Sequence, residues 1–132
     1  MPKELIVPAQ DQVIYDGWHF SPGVRVGDTI YVSGQVGVNE QHVPADGIEA
    51  QTRLAFQNLE RVLAKAGATL ADVVEMTTFH INLQGDLAGF TKVKDEFFPA
   101  NYPAWTAVGT TELALPGLLV EIRATACLGA GG

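Results

Sequence analysis

Glu121 lies in the segment from Leu115 to Ile122, one of three segments that stand out as candidates for chemistry. A carboxylate can orient a water molecule for attack on carbon when it lies within hydrogen-bond reach and its pKa is close to the working pH. An alternative interpretation is a strand glutamate that pairs with a cation on a neighbouring strand. The sequence leaves both interpretations open.

Two further segments carry candidate site residues. Ser33-Gly34 places a glycine inside a strand pattern, which is typical of a bulge, of a ligand close to backbone, or of room for a bulky cross-strand neighbour. Trp105 and Thr106 follow a Pro-Ala pair, and the indole of Trp105 could form the wall of a ligand pocket or an anchor buried in an interface.

The remaining reactive side chains give no metal or nucleophile pattern. His19, His42 and His80 belong to different elements, with no second ligand at metal spacing, so we predict no metal site and no cofactor. Cys127 has no base nearby in sequence and lies close to the chain end, which argues against a nucleophile.

Length, composition and charge limit the kinds of protein that this chain can be. The 132 residues, 47% hydrophobic and 17% charged, predict one domain over 1–132 with a packed core. A net charge of −7 without a basic run argues against nucleic-acid partners. A single cysteine excludes an internal disulfide and, with no long apolar segment, predicts a cytoplasmic protein without membrane contact.

Periodicity predicts the order ββαβαββ, an α+β domain with two helices on one face of a mixed sheet. Asp46 and Asp86 are predicted to cap the two helices, and Gly67 to follow the first one. The predicted strands are 13–20, 29–36, 73–81, 105–113 and 118–127, and the predicted helices run from 46 to 66 and from 86 to about 98.

Two helices can cover only one face of such a sheet. The other face mixes polar and apolar residues: Glu121, Arg123 and Thr125 on the last strand, and Tyr31 and Gln35 on an earlier one. A mixed face is typical of a surface buried between subunits. A solvated antiparallel sheet face gives a similar pattern, so the pattern favours an oligomer only slightly.

Three motifs, in order, resemble the RidA/YjgF superfamily. They are Val32-Ser33-Gly34-Gln35, Pro103-Ala104 after the second helix, and Leu115-Pro116 followed by Val120-Glu121-Ile122, and the similarity runs from about Phe20 to Leu128. The resemblance implies a chorismate-mutase-like fold and a homotrimer with ligand clefts between subunits. In its best-known branch the clefts hydrolyse enamines and imines to 2-keto acids and ammonia.

The chain departs from that branch at three cleft positions. Trp105 stands where the branch has an arginine that binds the substrate carboxylate, Ala107 replaces a cysteine, and Phe20 aligns with a tyrosine. Loss of a charge-assisted hydrogen bond of about 1.5–3 kcal/mol weakens ligand capture roughly ten- to a hundredfold. Glu121, aligned with the glutamate that holds water, is retained.

The resemblance therefore implies Glu121 as the catalytic residue and a substrate-binding set of Phe20, Ser33, Gly34, Trp105, Thr106 and Ala107. Without the arginine, the cleft is expected to bind a neutral, planar or more apolar metabolite rather than a simple 2-imino acid. Arg25 or Arg123 could replace the missing cation, in which case 2-iminobutanoate/2-iminopropanoate deamination is retained. The further alternatives are a chaperone-like interaction module and an endoribonuclease, which the charge argues against.

Overall fold

A computed structural model describes all of residues 1–132 and shows an α+β domain with one six-stranded mixed sheet. The strand order is β1-β2-β3-β6-β4-β5, and only β4 and β5 run parallel. The elements are β1 Glu4–Ile6, α1 Gln12–Trp18, β2 Gly23–Val26, β3 Thr29–Val36, α2 Ile48–Lys65, β4 Val73–His80, α3 Leu83–Phe97, β5 Ala104–Gly109 and β6 Val120–Cys127, with short 3-10 turns at Ala9–Asp11 and Leu70–Asp72.

The core lies between the sheet and the two long helices, as predicted. Leu59 and Val62 of α2 and Phe90 of α3 are fully buried, and they pack over the apolar face of β6, where Val120 and Ile122 are also fully buried. Burial of such side chains stabilises the fold by roughly 1.5–3 kcal/mol each. The alternate residues of β6 lie on the other face, which neither α2 nor α3 covers.

The first predicted strand, 13–20, is wrong. Residues 12–18 form the helix α1 instead, in which Gln12 Nε2 donates to Asp16 Oδ1 one turn on (3.1 Å), and His19 at φ 60° ends it. The segment is rich in aromatic and β-branched residues, but Gly23–Val26 pairs with β3 in its place, and Glu4–Ile6 takes the sheet edge. Tertiary pairing therefore overrides local β-propensity here.

Both predicted helix caps are also wrong. α2 begins at Ile48 after Gly47, whose φ of 87° suits a glycine, and Asp46 makes no capping bond. α3 begins at Leu83 after Asn82, so that Asp86 lies within the first turn. Gly67 follows α2 with φ 84°, as predicted. No helix is both long enough and apolar enough to span a bilayer.

A bulge in β3 alters which residues share a face. Val32 is opposite Ala124 and Gln35 is opposite Ile122, so β3 has one extra residue around Ser33-Gly34. Directly opposed residues lie on one face, so Val36 lies on the face of Glu121, and Gln35 lies on the face of Ile122. The prediction that Gln35 shares the uncovered face with Tyr31 is therefore wrong. The bulge lies beyond the last residue that β2 pairs with, so this part of β3 has an open edge.

Candidate functional site

A cavity of about 500 Å³ opens beside the bulged end of β3. Its walls come from α1, the turn before β2, one side of α2 and the segment before β6. Four of the predicted site residues line it together: Phe20, Ser33, Gly34 and Glu121. This volume is in the range of small-molecule sites, roughly 300–1,000 Å³.

Gly34 lies directly beneath the carboxyl group of Glu121. A Cβ added to Gly34 would be 2.6 Å from both Cδ and Oε2 of Glu121, closer than real Cβ contacts. The glycine therefore marks a bulge and also makes room for a bulky cross-strand neighbour. The bare backbone lets the carboxylate lie flat against β3 at the cavity wall.

Glu121 is half-buried and makes neither an ion pair nor a side-chain hydrogen bond within the chain. The alternative interpretation of a glutamate paired with a neighbouring cation is therefore wrong for the single chain. Burial raises the pKa of Glu121, because a charged carboxylate loses hydration there. An unpaired carboxylate with a raised pKa has the properties required of a general base.

Ser33 has a supporting role in the cavity. Its hydroxyl donates to the carbonyl of Ser21 (2.7 Å), and its backbone N–H donates to the carbonyl of Pro22 (2.9 Å). Both bonds fasten the turn that carries Phe20 onto β3. The arrangement fixes the aromatic wall of the cavity relative to Glu121.

The residues of the other cavity walls carry no signal in the sequence. Ile14 and Trp18, four residues apart on α1, present one apolar face to it. Arg61 also lines it, and its guanidinium is held by Asp11 (Nη2–Oδ1 3.0 Å and Nε–Oδ2 3.3 Å) and by Asn58 Oδ1 (2.8 Å). The only Arg or Lys of the cavity wall is thus neutralised by a buried carboxylate.

Neither proposed replacement for the missing arginine lines the cavity. Arg25 on β2 donates from Nε to the carbonyl oxygen of Gly27 (2.8 Å), and its Nη2 lies 3.9 Å from Oδ1 of Asp28. Arg123 is exposed on the bare sheet face, without an ion pair. Within one chain, both arginines are separate from this site.

The other three predicted site residues, Trp105, Thr106 and Ala107, are on β5 at the sheet edge. β4 separates β5 from β6, so they are about 10 Å across the sheet from Glu121. Trp105 faces the helices, the side opposite to Glu121: its Nε1 donates to Thr78 Oγ1 (2.9 Å) and its ring lies 5.6 Å from that of Phe90. One chain alone does not bring the two groups together.

A buried histidine completes the polar contacts near Trp105. His80 Nε2 lies 2.7 Å from Thr78 Oγ1, and burial lowers the pKa of His80 although Asp86 opposes the shift. The ring is therefore neutral at physiological pH. No group of three or more His, Cys, Asp or Glu side chains is arranged to hold a metal ion.

Comparisons with known proteins agree with this architecture. The family described as "Endoribonuclease L-PSP" matches residues 14–128. The chain is 41% identical over 125 residues to "RutC family protein YjgH" of Escherichia coli, covering 94% of each chain. It is 35% identical over 115 residues to a "2-iminobutanoate/2-iminopropanoate deaminase" of Dermatophagoides farinae, covering 85% of this chain and 87% of that protein.

A solved structure of a protein named YJGH superimposes with a TM-score of 0.88 at 39% identity, covering 96% of this chain and 97% of the other. The matched residues include β3 with its bulge, β5 and β6, which carry the three sequence motifs. The chain therefore belongs to the endoribonuclease L-PSP family, which is the RidA/YjgF family that its motifs resemble.

Proposed function

We propose that this protein is a homotrimeric hydrolase of small imines or enamines, with Glu121 as the general base. The observation that carries the proposal is the unpaired, half-buried Glu121 carboxylate, which lies against Gly34 at the wall of a ligand-sized cavity. The relative from Dermatophagoides farinae, named as an imine deaminase, supports the same chemistry.

The proposed site joins two copies of the chain. Glu121 and Trp105 lie on opposite faces of the sheet and about 10 Å apart across it, so a small ligand cannot contact both within one chain. The bare sheet face carries Tyr31 and Val108, which are 48% and 38% exposed in the single chain. A second copy on this side could bury them and bring its own β5 towards Glu121.

The reaction needs only water and proton transfers. Glu121 accepts a proton from a water molecule while the water oxygen attacks the imine carbon, which forms a C–O bond and breaks the C=N double bond to a single bond. Two protons then pass to the nitrogen, the one that Glu121 accepted and the one on the new hydroxyl group, so that the C–N bond breaks and ammonia leaves as the hydroxyl oxygen becomes the carbonyl oxygen. An enamine enters the same sequence after it tautomerises to the imine.

Two substrate classes compete for the cleft. Three features favour a neutral, planar or apolar metabolite. Position 105 holds a tryptophan instead of an arginine, Arg61 is neutralised by Asp11, and Ile14 and Trp18 form an apolar wall. The deaminase from Dermatophagoides farinae favours a 2-imino acid. The two classes share Glu121 and differ in whether the cleft supplies a cation.

The test is hydrolysis of two imines by the purified protein. Freshly generated 2-iminobutanoate represents the charged class and benzophenone imine the neutral class, and ammonia release is followed in each case. We expect acceleration of at least one of them, lost in Glu121→Gln, which keeps the shape of the side chain without its basicity. Absence of acceleration with both imines, or a monomer in sedimentation at micromolar concentration, contradicts the proposal.

RNA cleavage, which the family description names, is a poorer match for this chain. Phosphate contacts require Lys and Arg, whereas the net charge is −7 and the one arginine of the cavity is paired with Asp11. RNA cleavage that co-purifies with the protein at high salt and disappears in Glu121→Gln would reverse this assignment.

A further inference from the structure

The helix α1 forms one wall of the cavity although none of its residues is buried. Its two ends are fastened to the domain. Before α1, Asp11 pairs with Arg61 of α2 (Oδ1–Nη2 3.0 Å), and the turn after α1 accepts a hydrogen bond from Ser33 (2.7 Å). Between these points Ile14 and Trp18 line the cavity, and Trp18 is 57% exposed. Core packing therefore does not explain why a tryptophan occupies this position.

An apolar group of a ligand is the expected cover for this wall. Phe20 lines the same cavity and is 42% exposed, so two aromatic rings face one space within the single chain. Exposed aromatic rings in a concave site are typical of ligand binding. At no more than about 30 Å³ for each non-hydrogen atom, 2-iminobutanoate fills at most about 200 Å³ of the roughly 500 Å³. A ligand with a larger apolar group uses the space beside Trp18 and Phe20.

The charged groups of the cavity wall oppose a carboxylate. Asp11 and Arg61 neutralise each other, whereas Glu40 and Glu121 make no ion pair. His42 is the other titratable group of the wall, and it could offset one of these two charges at most. The wall therefore has an excess of negative charge, which repels an anion. An imine without a carboxylate, whether neutral or protonated on nitrogen, meets no such repulsion.

We infer that α1 makes the cavity selective for imines that carry a bulky apolar or aromatic group and no carboxylate. Ile14 and Trp18 contact that group, while Glu121 activates water for attack at the imine carbon. A protonated imine gains a further contact, because the face of an aromatic ring attracts a cation. This inference rests on the proposed function and selects the neutral one of its two substrate classes.

The first experiment compares two imines that share a phenyl group and differ in charge. Benzophenone imine has a second phenyl group where 2-imino-2-phenylacetate, generated from phenylglycine by an amino-acid oxidase, has a carboxylate. After subtraction of spontaneous hydrolysis, we expect kcat/KM to be higher for benzophenone imine by about tenfold or more, because the wall repels the carboxylate. Equal values, or a preference for the charged imine, overturn the inference.

The second experiment alters the wall that α1 provides. Trp18→Ala should raise KM for benzophenone imine about tenfold, through the loss of an aromatic contact, and Trp18→Phe should restore it to within a few-fold. Val13→Ala is the matched control, because Val13 is also 57% exposed on α1 but does not line the cavity. It should behave as the parent protein. An unchanged KM in Trp18→Ala overturns the inference, and so does dissociation of Trp18→Ala to monomers in sedimentation, which would show that the indole contacts a second copy.

A third measurement detects binding without turnover. Acetophenone and phenylglyoxylate are phenyl ketones that differ only in a methyl group against a carboxylate. The chain has two tryptophans, so the indole N–H signal of Trp18 in nuclear magnetic resonance can be identified by its loss in Trp18→Phe. We expect acetophenone to shift this signal and phenylglyoxylate at the same concentration to leave it in place. Equal shifts, or no shift with acetophenone, contradict the selectivity.

The two proposals fail in different ways. If the parent protein prefers 2-imino-2-phenylacetate and Trp18→Ala keeps the same KM, the hydrolase stands and the role of α1 is wrong. If no imine is hydrolysed but acetophenone alone shifts the Trp18 signal, the proposed function is wrong and the selectivity of the cavity stands. If no imine is hydrolysed and neither ketone shifts the signal, both proposals are wrong.

Discussion

Replacement of Gly34 by alanine tests whether the position of the Glu121 carboxyl group is essential. The new Cβ would lie 2.6 Å from Cδ and Oε2 and 2.9 Å from Cγ of Glu121, whereas ordinary contacts begin at 3.4 Å. The carboxyl group must therefore withdraw by about 0.8 Å. A displacement of about 1 Å can reduce a rate roughly a hundredfold when the displaced group positions the attacking water.

The expected signature is a loss of rate without an equal loss of stability. Glu121 borders an open cavity, so its side chain can rotate away from the new methyl group. The loss of free energy of unfolding should therefore not exceed the roughly 1–3 kcal/mol that an overpacked core costs. We expect kcat for imine hydrolysis in Gly34→Ala to fall about 10- to 100-fold, with a melting temperature close to that of the parent protein.

Gly17→Ala is the matched control. Gly17 is in α1, and an added Cβ there meets nothing within 4 Å. Alanine should raise stability by up to about 1 kcal/mol through its higher helix propensity and leave kcat unchanged. If Gly34→Ala keeps the parent kcat, the carboxyl position set by the bare backbone is irrelevant to the reaction, and Glu121 loses its assigned role.

Two further predictions concern pH. Because the base must be ionised, kcat/KM should rise with pH through the raised pKa of Glu121, and a flat profile would contradict its role. The pKa of His80 is lowered in the folded protein, so the unfolded chain binds more protons than the folded one. The free energy of unfolding should therefore fall as the pH drops below about 6.5. Denaturant titrations should show a weaker dependence of this free energy on pH in His80→Gln.

Long elements with clear periodicity could be predicted from the sequence. The alternation in β6 gives the buried and bare faces, and the apolar spacing in α2 gives each of its ends to within two residues. α1 could not be predicted, because its seven residues include Val13, Tyr15 and Trp18, which favour strands. Val13 and Trp18 are 57% exposed, Tyr15 is 38% exposed and no residue of α1 is buried, so no buried apolar stripe at helical spacing marks this helix in the sequence.

The residues of the candidate site likewise divide into those that a sequence pattern indicates and those that no local pattern indicates. Glu121 could be found because the third motif aligns it with a glutamate of the family, and Gly34 because it is a glycine inside a strand pattern; the structure brings the two into contact. Asp11 and Arg61 are 50 positions apart, and no local pattern shows that they form a bidentate pair in the cavity wall. The bulge that turns Val36 towards Glu121 is likewise invisible to simple alternation.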